Sequence, residues 1–298
     1  ASWRSVEAHK AMTSQSAHSV FERNQTNSDA VAAALERDGA AVVRGVVPGA
    51  WIERMRSAID VEMAGASPTA SEYGKTAGRF YGDFFLWLGN EHFRDFACAS
   101  PLPALAAAAM RSATVNLLYD QLFVKEPGSV ERTPWHQDLP YWPVAGGQIL
   151  SIWVPFDAAS PDNGVVTYVE GSHLWGQTFR PQAFDERNAG AFAASPYAPM
   201  PAIDLDDGRL EFLAWSLEPG DVLIHKGLTV HGAAGNGSSD KRRRALAVRY
   251  TGDDARYDPR PGTFMEMESV RANVPAPGVA KGEPMGGTLF PRVWPPVS

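Results

Sequence analysis

From residue 114 onward the chain is written in short β-rich runs cut apart by turn residues, and no other feature constrains its fold as strongly. TVNLLYDQLFV, QILSIWVPF, GVVTYV, RLEFLAWSL, DVLIHKGLTVH and RRALAVRYT follow one another, separated by EPG, SPDNG, DDG, EPGD and GNGSSD. β-Branched and aromatic side chains suit a pleated, half-buried surface, while Gly, Pro, Asn and Asp supply the backbone angles of turns. Many short strands punctuated in this way predict a β-sandwich or barrel. There is no βαβ alternation and no internal repeat.

Helices precede this β region. SDAVAAALERD (28–38) has Ser28 or Asp29 to cap its start and Gly39 just past its end. AAVVRGVV (40–47) predicts a strand. After Pro48 and Gly49, Ile52, Met55, Ile59 and Met63 recur at helical spacing, so one face is buried. PLPALAAAAMRS (101–112) predicts a third helix with Pro101 near its first turn. The expected layout is one domain over 1–298. It comprises a polar arm (1–27), a mostly helical flank (28–112), a β core (114–251) and a tail (252–298) wrapping the surface. An Ala/Pro-rich insertion at 176–208 interrupts the core, and long insertions between strands are commonly lids or disordered loops.

TPWHQDLPYWP (133–143) carries the chemistry. On an extended backbone, residues two apart share a face, so His136 and Asp138 can reach one point. One more histidine would complete a two-histidine, one-carboxylate set, which binds Fe(II) and leaves positions open. Downstream, GDVLIHKGLTVHGAAGN offers His225 and His231. His231 has the better strand-end placement; for His225, mid-strand, core packing or support of the ligands is the plainer reading. Next, KRRRALAVRY places Arg242, Arg243 and Arg244 ahead of an apolar strand. An inward arginine there could grip a carboxylate through a bidentate fork. Trp135, Tyr141 and Trp142 could wall a pocket against water, on a loop stiffened by prolines.

Net charge −7 and pI about 5.5 argue against a phosphate-neutralising nucleic-acid binder and against docking on an anionic membrane. A single cysteine, Cys98, rules out an intrachain disulfide framework and a cysteine-rich zinc site, and fits a reducing cytoplasm.

The ordered series DGAAVVRGVV, DQLFVKEPG, TPWHQDLPYWP, SIWVPFDAASPDNGVVTYVEGSHLWG, LEPGDVLIHKGLTVHGAAGN and RRALAVRY resembles the phytanoyl-CoA dioxygenase family of Fe(II)/2-oxoglutarate-dependent oxygenases over about 30–251. The resemblance implies a double-stranded β-helix, a cupin-like jelly roll with flanking helices. It implies that His136, Asp138 and His231 bind iron and that Arg243 holds the distal carboxylate of 2-oxoglutarate, with Arg242 the nearest competitor. It suggests Lys125, Gln121 and Trp153 as further cosubstrate-site residues; the rings of Tyr141 and Trp142 beside the motif are the expected substrate contacts. His173 is read as structural. Halogenating relatives lack the carboxylate, so Asp138 points to hydroxylation. The expected activity consumes O2 and 2-oxoglutarate, releases succinate and CO2, and hydroxylates an unactivated C–H bond of a small molecule. The expected protein is a cytoplasmic monomer or homodimer without nucleic-acid or membrane partners. The alternatives are a non-catalytic jelly-roll binding protein and a metal-dependent hydrolase using the same ligands.

Overall fold

Along Arg243–Thr251 (RRALAVRYT) every residue is buried, yet successive side chains enter different surroundings. Leu246, Val248 and Tyr250 join the large core beneath the helices, while Ala245 and Ala247 join a separate cluster with Trp153, Tyr168 and Leu223. A strand covered on both faces needs apolar or satisfied residues at every position. The computed structural model describes residues 28–65, 67–73, 78–183, 190 and 192–296; the expected arm at 1–27 and part of the insertion lie outside them.

The strands are β1 (Ala40–Val43), β2 (Ser71–Glu72), β3 (Phe80–Phe84), β4 (Val115–Lys125), β5 (Thr133–His136), β6 (Val144–Ala145) and β7 (Ile149–Pro155). They continue with β8 (Val166–Val169), β9 (Phe212–Leu213), β10 (Val222–Lys226), β11 (His231–Ala233), β12 (Arg243–Thr251), β13 (Arg256–Tyr257) and β14 (Arg292–Trp294). The larger sheet runs β1-β10-β7-β12-β4-β3-β2, with β14 also paired to β4. A smaller sheet runs β5-β11-β8-β9. All their pairings are antiparallel. This is the jelly-roll arrangement, with neither sheet closed on itself.

Helices Ser28–Asp38, Gly49–Ala64, Glu91–Ala99 and Leu102–Met110 contribute Val31, Ile52, Phe93 and Leu102 to the core under the larger sheet. Among the described residues no helix is long and apolar enough to cross a membrane.

Three expectations change. The strand read over 40–47 stops at Val43, and Gly45 with φ +62° turns the chain away. DVLIHKGLTVH is not one strand: β10 lies in the larger sheet and β11 in the smaller, so the turn between them carries the chain across the sandwich. The tail does more than wrap the surface, because Phe264 and Phe290 are buried in the main core.

Candidate active site

β5 is the edge of the smaller sheet, which is where Pro134, lacking an N–H, is tolerated. Its last residue, His136, sits directly opposite His231 of β11, and the two rings are 4.2 Å apart. Asp138 does not share an extended backbone with His136. It lies beyond the strand in helical conformation (φ −78°, ψ −41°), at the entrance to the turn Leu139–Tyr141. That turn brings its carboxylate back: Oδ1 is 3.4 Å from Nε2 of His136 and 3.8 Å from Nε2 of His231. One ligand atom from each of these three buried residues lies within 4.8 Å of the others.

The donor set fits a divalent metal such as iron. Nδ1 of His136 meets the carbonyl of Pro134 at 2.8 Å, and Nδ1 of His231 meets the carbonyl of Thr229 at 2.9 Å. If those nitrogens carry the protons, each Nε2 presents a lone pair to the shared point. Burial, with repulsion from His136 and His225, holds His231 well below the usual histidine pKa and so neutral. Burial opposes ionisation of Asp138, but Arg249, His136 and His225 together outweigh it and hold the carboxyl well below its ordinary range.

His225 faces the other carboxylate oxygen. Its Nε2 is 3.2 Å from Oδ2 of Asp138, and its Nδ1 is 3.2 Å from the hydroxyl of Tyr168. Gln137, between the two motif residues, donates to the carbonyls of Gln177 and Leu228 and accepts from the N–H of Phe179. It fastens the loop to both neighbouring segments. Gly227 permits close packing here, since a Cβ would lie 2.9 Å from the Trp142 ring and 3.0 Å from Leu139.

A cavity of about 920 Å³, counting its open mouth, rises from this cluster. Of the three consecutive arginines only Arg243 enters it. Arg242 pairs with Glu126 and Asp60, and Arg244 with Asp157 and Asp60, so both are committed elsewhere. Arg243 is 2 % exposed, lies over the Trp153 ring at 5.5 Å, and has no hydrogen-bond partner for its Nε among the described residues. Burial draws its pKa down to about 10, which still leaves it charged near neutrality. With no ion pair among the described residues, this buried guanidinium is costly to keep charged, and an anion beside it would offset that cost.

Of the residues singled out in the sequence, Gln121, Trp153 and Tyr141 line the cavity. Lys125 does not: its Nζ donates to the carbonyl of Ala234 at 2.5 Å and lies 4.5 Å from the centre of the Phe80 ring. Trp142 does not either. It is fully buried in the helix-side core and donates to the Tyr119 hydroxyl, so it braces a cavity wall from behind. His173 bonds the carbonyl of Glu36 rather than joining the metal cluster.

The sequence reading missed Arg249, whose guanidinium lies 4.6 Å over the Tyr119 ring and 3.8 Å from Oδ2 of Asp138. Its spacing from Arg243, an even number of residues along one strand, carries that signal. It also missed Phe192 in the insertion and Phe264 and Met267 in the tail, all on the cavity wall. No local pattern marks these residues.

A profile of the phytanoyl-CoA dioxygenase (PhyH) family matches residues 35–245. Multifunctional dioxygenase prhA of Penicillium brasilianum is 22% identical over 246 residues, spanning 74% of this chain and 71% of that protein. A probable alpha-ketoglutarate-dependent hypophosphite dioxygenase of Stutzerimonas stutzeri is 31% identical over 134 residues, 44% of this chain and 43% of that one. Among solved structures, the non-heme alpha ketoglutarate dependent epimerase SnoN from nogalamycin biosynthesis superposes with TM-score 0.70 at 22% identity, covering 92% of this chain and 99% of that chain. The carbocyclase SnoK from nogalamycin biosynthesis gives TM-score 0.66 at 21% identity, covering 90% of this chain and 97% of that chain. At these identities the solved structures speak to the fold.

Proposed function

Since the chain belongs to the phytanoyl-CoA dioxygenase family, we propose that it is an Fe(II)- and 2-oxoglutarate-dependent dioxygenase that hydroxylates an unactivated C–H bond of a small organic molecule. The observation that carries this reading is one cavity holding both a complete His-Asp-His donor set and a buried arginine that makes no ion pair among the described residues. His136, Asp138 and His231 hold the iron. Arg243 binds the distal carboxylate of 2-oxoglutarate, the cation–anion pair replacing water that neither group keeps in this buried site. Gln121 and Trp153 border the cosubstrate. When bound, iron with 2-oxoglutarate and O2 supplies the power to oxidise a C–H bond, with succinate and CO2 as coproducts.

The chain's own residues then decide the outcome. His225 and Arg249 face one oxygen of Asp138 and leave the other turned to the histidines. The aromatic wall excludes water and fixes which substrate hydrogen lies nearest the cluster. SnoN is an epimerase and SnoK a carbocyclase, so a jelly roll of this kind supports products other than alcohols. The complete carboxylate-containing donor set favours hydroxylation over halogenation, and the arginine built for an anion favours 2-oxoglutarate chemistry over hydrolysis.

The test is anaerobic titration of the metal-free protein with Fe(II), then 2-oxoglutarate, followed by visible absorption. The expected result is a new charge-transfer band that is absent in His136→Ala and weakened in Arg243→Ala. Bound iron with no band would overturn the cosubstrate assignment. Once a substrate is found, incorporation of label from ¹⁸O₂ separates hydroxylation from epimerisation or ring closure.

A further inference from the structure

Four separate segments close over the cluster, and each contributes an apolar face. Tyr73 and Phe84 come from the flank, Tyr141 from the loop after Asp138, Phe192 from the insertion, and Phe264 and Met267 from the tail. The wall is braced. Phe264 packs 4.8 Å from Tyr119 and 5.5 Å from Phe85, and Phe192 meets Tyr141 edge-on at 5.1 Å.

Among the described residues, charge is nearly absent above the cluster. Among the described lining residues, histidines aside, the ionised groups are Asp138, Arg243 and Arg249. Arg249 faces Asp138. On the reading above, on which this inference rests, Arg243 is taken by the cosubstrate. Among the described residues, an anionic substrate would therefore lose its hydration without meeting a free cation, which burial of charge heavily penalises. An adjoining cleft shares Tyr73, Phe123, Thr133 and Ala183 with the cavity and adds Glu131 beside Arg132. Opposite charges side by side do not make the cluster of cations that phosphates require.

We infer that the cavity takes an uncharged, largely apolar ring system as its substrate, rather than a coenzyme A thioester or a zwitterionic amino acid. Aromatic faces on several sides suit stacked and edge-on contact with rings.

Matched fluorescent probes test this: neutral 1-pyrenemethanol against anionic 1-pyrenebutyrate, titrated into the full chain with Zn(II) and saturating 2-oxoglutarate. The neutral probe should bind about ten-fold more tightly or better, a margin of one decade in Kd. Palmitoyl-CoA should not displace it. Phe192→Ala should weaken the neutral probe several-fold, whereas Leu174→Ala, at an exposed site, should not. Equal or tighter binding of the carboxylate, or displacement by palmitoyl-CoA at lower concentration than the neutral probe, overturns the inference. Calorimetric binding of 2-oxoglutarate is read separately and also reports that each variant is folded. A chain that fails to bind 2-oxoglutarate yet prefers the neutral probe leaves this inference standing and sinks the cosubstrate reading.

Discussion

His225 and the other two histidines meet different oxygens of Asp138: its Nε2 is 3.2 Å from Oδ2, while Oδ1 faces His136 and His231. The carboxylate is thus divided between a supporting partner and a metal-facing side. Groups that hold a ligand in this way commonly affect metal affinity ten- to a hundred-fold.

Replacing His225 with Phe keeps the ring but removes both nitrogens, so Asp138 and Tyr168 lose a shared partner. Affinity for Co(II), followed by its visible bands, should fall about ten-fold or more. Unchanged affinity would mean that His225 only fills space.

Arg243→Met should raise the Kd for 2-oxoglutarate by about two orders of magnitude, since a charge-assisted contact is worth about 1.5–3 kcal/mol and the fork makes more than one. Arg242→Met should leave that Kd unchanged, because Arg242 serves Glu126 and Asp60. Its part-exposed pairs contribute about 1 kcal/mol or less to stability. Calorimetry on the two variants side by side decides between the neighbouring arginines.

The Tyr141 hydroxyl donates to the carbonyl of Gln182 and accepts from its N–H, at 2.9 Å and 2.7 Å. Tyr141→Phe therefore frees the start of the insertion at a cost of about 1 kcal/mol per bond. Amide exchange at Gln182 and its neighbours should accelerate, with metal affinity unaffected. Equal exchange in both proteins would show that Tyr141 does not tether this segment.

Asp120 is buried on the helix side of β4, and burial pushes its pKa up to about 7 despite the N–H of Trp87. The folded state therefore holds this proton more tightly than the unfolded state. The stability this provides is full below the unfolded pKa of about 4 and is lost as pH rises through about 7. Asp120→Asn, which keeps an acceptor for Trp87, should flatten that decline and raise the urea midpoint near pH 8. A decline of the same size in the variant would assign it to other groups.

Local chemistry made much of this site legible. His136 and Asp138 stand two residues apart at the end of β5, and the RRAL that opens β12 singles out Arg243 through the family resemblance. The sequence places His231 at a strand end beside a glycine-rich turn; it opens β11 instead, still next to Gly232. The β core itself was written in the spacing of turn residues. The strand runs and their turns are properties of neighbouring residues, fixed by backbone geometry over a few positions; the resemblance supplies the rest.

What the tertiary structure decided concerns residues far apart in sequence. His225 and His231 sit on one apolar run. Only the crossing of the chain between sheets pairs His231 with His136 and sends His225 to the outer oxygen of Asp138. Trp142 and Lys125 looked like site residues by position, but packing against Tyr119 and a bond to Ala234 commit them elsewhere. Phe192, Phe264 and Met267 reach the cavity through long connections with no periodicity. Alternation says which residues share a face of one strand; it does not say which strand or segment will lie opposite. That follows from burying the whole chain's apolar surface at once, a sum over distant contacts that no short stretch encodes.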